Sequence, residues 1–281
     1  MLNKNIKSPV NIPVSKIHPF EGNPYKVLDN EEMNTLICSI QERGILTPII
    51  IRPIENTDEY EVISGHRRLH ATVKAGMKEV PAFIYSVTRD VAAIMLVDSN
   101  LHREHILPSE KAFAYKLKLE AMKHQGITCG QVGHKSRDEI SDTDSGRQIQ
   151  RYIRLTYLIP ELLDLVDEEK IALTPAVELS YLTDEEQYAL LGAIEVEDRT
   201  PSLSQAVRFK KLSQTGNLSD DDIETIMQED KANQKPMFKV SMEKLQKVAP
   251  KVKDKNFEDF VLKACEHYYK YLQRQRNRDA R

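Results

Sequence analysis

Apolar residues follow two different rhythms along this chain. Up to about residue 90, short β-branched runs alternate with helical spacing. Met33, Leu36, Ile37 and Ile40 repeat at 3.6-residue spacing and predict a helix. Asp29 suits its N-cap, Glu32 three residues later completes a capping box, and Gly44 closes it. Pro48-Ile-Ile-Ile-Arg52 reads as a short buried strand, residues 55–58 as a turn, and Tyr60-Glu-Val-Ile-Ser64 as the next strand. A helix follows Gly65 and stops at Gly76, and Val80 to Tyr85 forms another strand. From Thr88 onward helical spacing dominates. Thr88 caps a helix carrying Val91, Ile94, Met95 and Val97, and Pro108-Ser109 opens another, with Ser109 as N-cap, that runs to Gly126. Residues 126–146 read as loop with one short helix. Arg147 to Leu158 is a helix behind Ser145-Gly146, and Pro160, Pro175, Thr183 and Pro201 each start a further one. Asn233 to Pro236 reads as a linker, Met237 to Val240 as a strand, and residues from about Asn256 to Arg278 as a final helix.

Composition narrows the class. A length of 281 residues suggests about two domains, and 40% hydrophobic with 30% charged residues fits a soluble fold. No apolar run reaches the ~18 residues of a membrane span. Met1 to Ser15 is polar, carries Pro9 and Pro13, and contains neither a signal-peptide core nor an amphipathic membrane helix. A cytoplasmic location without membrane contact is expected. Cys38, Cys129 and Cys265 form no zinc spacing and no disulfide framework. The pairs His66/His70 and His102/His105 lack the further ligands a transition metal needs. The net charge of −3 excludes a globally basic coat for nucleic acid, so any such contact must be a local patch.

Two local patches stand out. The first is Ser64-Gly65-His66-Arg67-Arg68, where a strand passes through glycine into a helix. Glycine lets a ligand approach the backbone, and the unpaired N–H groups of the first helical turn attract anions. Arg67 and Arg68 add forked cationic donors, as a phosphate site requires. The second is Arg147, Arg151 and Arg154 at i, i+4 and i+7, with Gln148 and Gln150 interleaved. Arginine to guanine and glutamine to adenine are the common contacts of a helix in the major groove. Residues Lys135 to Asp144 are the candidate for its partner helix. Arg274, Arg276, Arg278 and Arg281 make the C-terminal end basic, which suits a phosphate-touching tail or a solvated end.

The order of these motifs resembles ParB-type partition proteins, centromere-binding and CTP-dependent DNA clamps that include the nucleoid-occlusion proteins. The resemblance covers about residues 8–200. It rests on Ile12-Pro-Val-Ser-Lys-Ile-His-Pro19, Asn23-Pro24, the run from Ser39 to Arg52, and Ser64-Gly-His-Arg-Arg-Leu-His-Ala71. It continues through Ala75 to Pro81, Ser99-Asn-Leu-His-Arg103, Leu107 to Ala112 and Ile159 to Val166. It implies an α+β, mostly α chain. A small α/β ParB-N (sulfiredoxin-like) nucleotide-binding domain over 8–106 precedes an all-helical helix-turn-helix DNA-binding domain over 107–230. A C-terminal segment over 237–281 would serve dimerisation, with Tyr268, Tyr269 and Leu272 either as its buried stripe or packed on their own domain. The implied nucleotide site comprises Thr47, Ser64, Gly65, His66, Arg67, Arg68, Asn100 and Arg103, with Thr47 to Ile50 along the base and sugar. The implied cofactors are CTP and Mg2+, the metal held by the amide oxygen of Asn100. The implied partners are double-stranded DNA with an inverted-repeat site, a ParA-type ATPase and a second copy of the chain.

Two positions depart from the family pattern. His66 stands where the family has glutamate, and Ser99 replaces the glutamate ascribed a part in hydrolysis. Serine cannot act as a carboxylate base at neutral pH. Asp98 is adjacent, but one residue along a helix turns a side chain by ~100°. CTP binding therefore carries over better than CTPase activity. A second reading is a transcriptional or replication regulator with a vestigial pocket. A third is a phosphotransfer enzyme, by analogy with sulfiredoxin and a free-serine kinase. The turn lacks sulfiredoxin's cysteine, and such an enzyme has no use for the helical half.

Overall fold

Strands rich in isoleucine and valine assemble a five-stranded sheet in the computed structural model, which describes residues 8–103, 105–125, 144–229 and 257–279. The first elements are β1 (Val10–Pro13), β2 (Ile17–His18), α1 (Glu31–Arg43), β3 (Ile49–Pro53), β4 (Tyr60–Ser64), α2 (His66–Lys74) and β5 (Glu79–Ile84). The strand order is β1-β5-β3-β4-β2. β3 pairs antiparallel with β4 and parallel with β5, and the register slips between Ile50 and Ile51. β1 and β2 are additions to the sequence reading. β1 offers only Val10 and Ile12 in alternation and ends in Pro13, a residue tolerated at a sheet edge, where β1 sits. β2 has two residues, too few for any periodicity. Ile49, Ile51, Val62, Val80 and Ala82 are buried with Leu69 of α2, and α1 packs on α2 through Met33, Ile40 and Ala71.

The cap of α1 differs from expectation. Asn30, not Asp29, is the N-cap and accepts the Met33 N–H at 3.0 Å. Asp29 is drawn instead to α2, where it meets Lys74 at 2.6 Å and His70 at 2.8 Å. Glu32 likewise reaches Arg67 rather than closing a capping box. A neighbouring cation outcompetes a helix end for each of these carboxylates.

A buried ion pair organises the back of the sheet. Arg52 Nε donates to Glu61 at 2.7 Å, both side chains only 7% exposed, and the other Glu61 oxygen accepts the Glu21 N–H at 3.0 Å. His66 Nε2 accepts the Phe20 N–H at 3.3 Å, which places the imidazole proton on Nδ1. These bonds hold the loop after β2 across the C-terminal end of β4. Burial, assisted by Arg103 and opposed by Glu61, pushes the His66 pKa down to about 4. The turn between β4 and α2 is equally constrained. Gly65 has φ +105°, and a Cβ there would lie 2.8 Å from Ile49 Cγ2 and 3.2 Å from Arg68 Nη2.

The remaining elements are helical: α3 (Arg89–Asn100), α4 (Pro108–His124), α5 (Gly146–Leu155), α6 (Pro160–Asp167), α7 (Leu173–Leu179), α8 (Asp184–Glu197), α9 (Leu203–Gln214) and α10 (Asp220–Gln228). α4 serves two cores. Ala114 and Ala121 pack with Phe20, Ile63, Leu96 and Val97, while Ala112 joins Leu155, Leu162, Leu179, Phe209 and Ile226. Tyr115 and Met122 bury Ile149 and Ile153 of α5. Ser109 does not cap α4, which starts at Pro108. Its N–H and hydroxyl both go to Asp167 at the end of α6, at 2.9 and 2.5 Å. α10 is another addition. Its signal, the Ser219/Asp222 capping box, is present in the sequence.

These residues, up to Glu229, form one compact unit, and a second begins at Asp230. In the second, α11 (Phe257–Asp279) exposes Phe260, Leu262, Tyr268, Tyr269 and Tyr271. The helix expected within 126–146, the partner helix expected over Lys135 to Asp144, the linker at 233–236 and the strand at 237–240 lie outside the described residues. So do the side chains of Arg276 and Arg278, and Arg281 altogether.

Two stability predictions follow from the β4–α2 turn. Gly65→Ala meets both a forbidden φ and a packed neighbour, and should cost about 2–4 kcal/mol in denaturant unfolding. Gly76→Ala, at φ +73° with nothing within 4 Å, should cost only about 1 kcal/mol. Equal losses would refute the steric account. His66 is neutral in the fold, so the unfolded chain binds more protons between its unfolded pKa near 6.5 and its folded value near 4. Stability from this group is full above pH 6.5 and falls as pH drops through that window, by about 1–3 kcal/mol. His66→Gln should flatten that part of the unfolding profile against pH, and an unchanged slope would exclude His66 as its source.

Candidate functional site

β4 delivers Ser64 and Gly65 to the sheet's rim, and α2 starts immediately after with its first N–H groups facing outward. On one side of a polar cavity of about 330 Å³ lie Ser64, Gly65, His66, Arg67 and Arg68, and on the other Ser99, Asn100 and Arg103 from the end of α3. Thus seven of the eight expected nucleotide residues come together across more than thirty positions of chain, with Ser99 beside them. Thr47, the eighth, is not part of the lining. Its carbonyl accepts Arg68 Nη1 at 2.5 Å, and the Pro48 carbonyl accepts the same atom at 2.8 Å. Arg68 therefore fastens the segment before β3 to the turn, and burial lowers its pKa. Arg67 pairs with Glu32 at 3.0 Å across a half-exposed gap, while Arg103 is exposed at the rim.

Asn100 donates its amide N–H groups to the Leu96 carbonyl at 2.8 Å and the Ser99 hydroxyl at 3.2 Å. Its amide oxygen is the atom left for a ligand. The Ser99 hydroxyl donates back to the Leu96 carbonyl of its own helix at 3.0 Å. Asp98 points elsewhere in its bonding and meets Lys118 of α4 at 2.5 Å. Among the described residues no carboxylate lines the cavity. Four cationic side chains around an open space of this size suit a polyphosphate. A hard divalent ion would find one protein oxygen, from Asn100, with the remainder supplied by phosphate and water, as Mg2+ commonly accepts.

Three polar lining residues escaped sequence reasoning: Asn23, Tyr25 and Lys26. The motif Asn23-Pro24 marked the region without showing that it faces Gly65. Burial first, then the Glu110 charge, raises the Tyr25 pKa, and its hydroxyl reaches the Val97 carbonyl at 3.5 Å. Lys26 donates its backbone N–H to Glu110 at 2.9 Å, while its ammonium lies 3.5 Å from Asp164 and 3.6 Å from Asp167 of α6. A cavity residue is thus tied to the helical half.

The expected DNA residues divide into three groups. Arg147, Gln148 and Arg151 line an open depression of about 490 Å³ with Thr174, Val177 and Glu178. Arg151 donates to Gln148 Oε1 at 3.2 Å and Thr174 Oγ1 at 2.6 Å, which holds both long side chains in place. Ser145 caps the helix that carries them. Gln150 is exposed on α5 outside the depression. Arg154 is engaged differently. It donates to Ser180 Oγ at 3.1 Å and the Ser180 carbonyl at 2.7 Å, between the rings of Tyr157 and Tyr181.

Among the described residues no group of three His, Cys, Asp or Glu side chains could hold a metal ion, and no helix is long and apolar enough to cross a membrane. Of the histidine pairs, His66 serves Phe20 and His70 serves Asp29.

Residues 2–101 match the family described as ParB N-terminal domain. Over 162 residues the chain is 33% identical to the chromosome-partitioning protein Spo0J of Thermus thermophilus, covering 58% of this chain and 56% of that one. Over 110 residues it is 39% identical to a nucleoid occlusion protein of Geobacillus, covering 39% and 38%. The match thus spans about half the length of these relatives or less. C-terminally truncated ParB from Caulobacter crescentus, complexed to the centromeric parS site, has 20% identity and a TM-score of 0.43, over 78% of this chain and 98% of that one. The same protein complexed with CTP-gamma-S gives 23% and 0.33, over 67% and 99%. Residues 2–101 therefore match the ParB N-terminal domain family, in a chain similar to Spo0J and nucleoid occlusion proteins.

Proposed function

We propose that this chain is a sequence-specific DNA-binding partition protein whose N-terminal cavity holds CTP with Mg2+. The observation that carries the nucleotide reading is the convergence of Arg67, Arg68 and Arg103 with the Asn100 amide oxygen at the start of α2, in a cavity with no carboxylate among its described lining residues. Bound Mg2+ would neutralise phosphate charge, with Asn100 as its protein ligand. The backbone N–H groups after Gly65 would receive phosphate oxygens, Arg103 would close over them, and Arg68 would keep the Thr47–Pro48 segment in place beside the base and sugar. Arg67 would exchange Glu32 for phosphate.

Binding is separable from hydrolysis here. Ser99 is bonded to its own helix and Asp98 is paired with Lys118, so neither supplies a base to a water in the cavity. We assign residues 8–106 to the nucleotide, 107–230 to DNA and 237–281 to dimerisation. A two-fold dimer would set two copies of α5 on an inverted repeat, with Arg147, Gln148 and Arg151 at the base edges. Lys26 supports coupling between the two functions. A phosphate entering the cavity competes with Asp164 and Asp167 for its ammonium, which loosens the tie to α6. Clamp closure needs such a difference in nucleotide affinity between conformers. A ParA-type ATPase is the expected partner by kinship. Ser99 also favours a second reading, a DNA-binding regulator whose pocket no longer takes nucleotide.

Calorimetric titration of Mg-CTP and Mg-ATP separates the two. Saturable binding of CTP alone is expected. Arg103→Ala should weaken it at least about tenfold, the effect of a lost charged contact, without changing the unfolding midpoint. Arg68→Ala should abolish binding while also loosening the segment before β3, and leave short-duplex binding nearly intact. No binding of either nucleotide by the wild type selects the regulator. Ser99→Glu should raise CTP turnover above the wild-type rate; no increase would show that the missing carboxylate is not what limits hydrolysis.

A further inference from the structure

Arg154 belongs to a column that continues well beyond α5. Lys116 of α4 lies 5.9 Å from the Tyr157 ring centre, and Arg154 lies 4.4 Å from the same ring. Arg154 is also 3.9 Å from the Tyr181 ring, and Lys210 of α9 is 3.7 Å from it. Three cations and two aromatic rings from α4, the α5 end, the α7 end and α9 thus adjoin in sequence. Tyr157 and Tyr181 are 55% and 39% exposed, so the column is at the surface. It adjoins the depression lined by Arg147, Gln148 and Arg151. Arg151 is bonded to Thr174 near the start of α7 and Arg154 to Ser180 at its end, so both lie along one helix.

We propose that this column is a second arm of the DNA interface, which grips duplex phosphates beside the bases addressed by Arg147, Gln148 and Arg151. The inference rests on the DNA-binding reading above and extends it to Lys116, Tyr157, Tyr181 and Lys210. Arg154 has Nε and Nη2 committed to Ser180 and its plane held between rings, so it cannot swing into a groove to read a base. A phosphate needs no such freedom. Fixed cations lose little side-chain entropy on meeting one, and tyrosine hydroxyls are ordinary phosphate donors. Lys210 has a further part. It pairs at 2.8 Å with Glu178, the acidic residue in the lining of the depression, and so screens that carboxylate from incoming phosphate.

The experiment is binding of the full-length protein to a linear mixed-sequence duplex, followed against salt concentration. Such binding is governed by phosphate contacts. The variants are Lys116→Gln, Lys210→Gln, Glu178→Gln and the Lys210→Gln/Glu178→Gln pair, each checked by thermal unfolding. The expected result is a salt slope shallower by about one for each lysine removed. Glu178→Gln should strengthen binding and should partly restore Lys210→Gln. A role in packing alone would move the unfolding temperature and leave the salt slope untouched. Unchanged slopes in both lysine variants, with normal wild-type binding, would overturn the second arm. Absence of duplex binding by the wild type would overturn the DNA reading itself, and this inference with it.

Discussion

The cavity depends on the close approach of Gly65 to Ile49. β4 must leave the sheet against a buried isoleucine of β3, and only a residue without a Cβ can turn there at φ +105°. Because the turn is immediate, α2 begins at the sheet's rim rather than a loop's length away. Its first N–H groups then open on the cavity, Arg68 can reach back to the Thr47 and Pro48 carbonyls, and Arg67 can meet α1. A longer connection would dissolve all three relations together.

Charge is sorted around this turn. The carboxylates of Glu61, Glu110 and Asp167 sit behind the cavity, where each accepts a backbone N–H: from Glu21, from Lys26 and Leu107, and from Ser109. The cationic groups face the opening. The carboxylates anchor loops and helix starts, as charge-assisted hydrogen bonds do well. Arg67 and Lys26 are left with exchangeable partners, Glu32 and the aspartates 3.5 Å and more away, whereas Arg68 is held by the Thr47 and Pro48 carbonyls. The buried Arg52–Glu61 pair underlies this arrangement, since removing either partner would leave an uncompensated buried charge.

α4 transmits the arrangement to the helical half. It is packed on α3 beside the cavity, on α5 through Tyr115 and Met122, and into the large helical core through Ala112. The buried amide of Gln187 completes that core, accepting the Ile159 N–H at 2.8 Å and donating to the Tyr157 and Leu182 carbonyls. The position of α5 is thereby set by the same scaffold that sets the end of α3, which makes a physical link between the two sites short.

Sequence alone determined the features that arise between residues close in the chain. Helix periodicity, the caps at Thr88, Ser145 and Thr183, and the run from Ser64 to Arg68 are products of neighbours within four positions. Asn100 and Arg103 were legible only through family likeness, because nothing in their local spacing says that they face Gly65. Tertiary structure alone decided which polar groups remain available. Asp29 was drawn from its helix by Lys74, Arg154 was taken by Ser180 and Tyr181, and Tyr25 and Lys26 became cavity walls through contacts with Val97, Glu110 and Asp167. A side chain's chemistry is written in its residue type, but its freedom to act depends on partners that folding brings from tens of residues away.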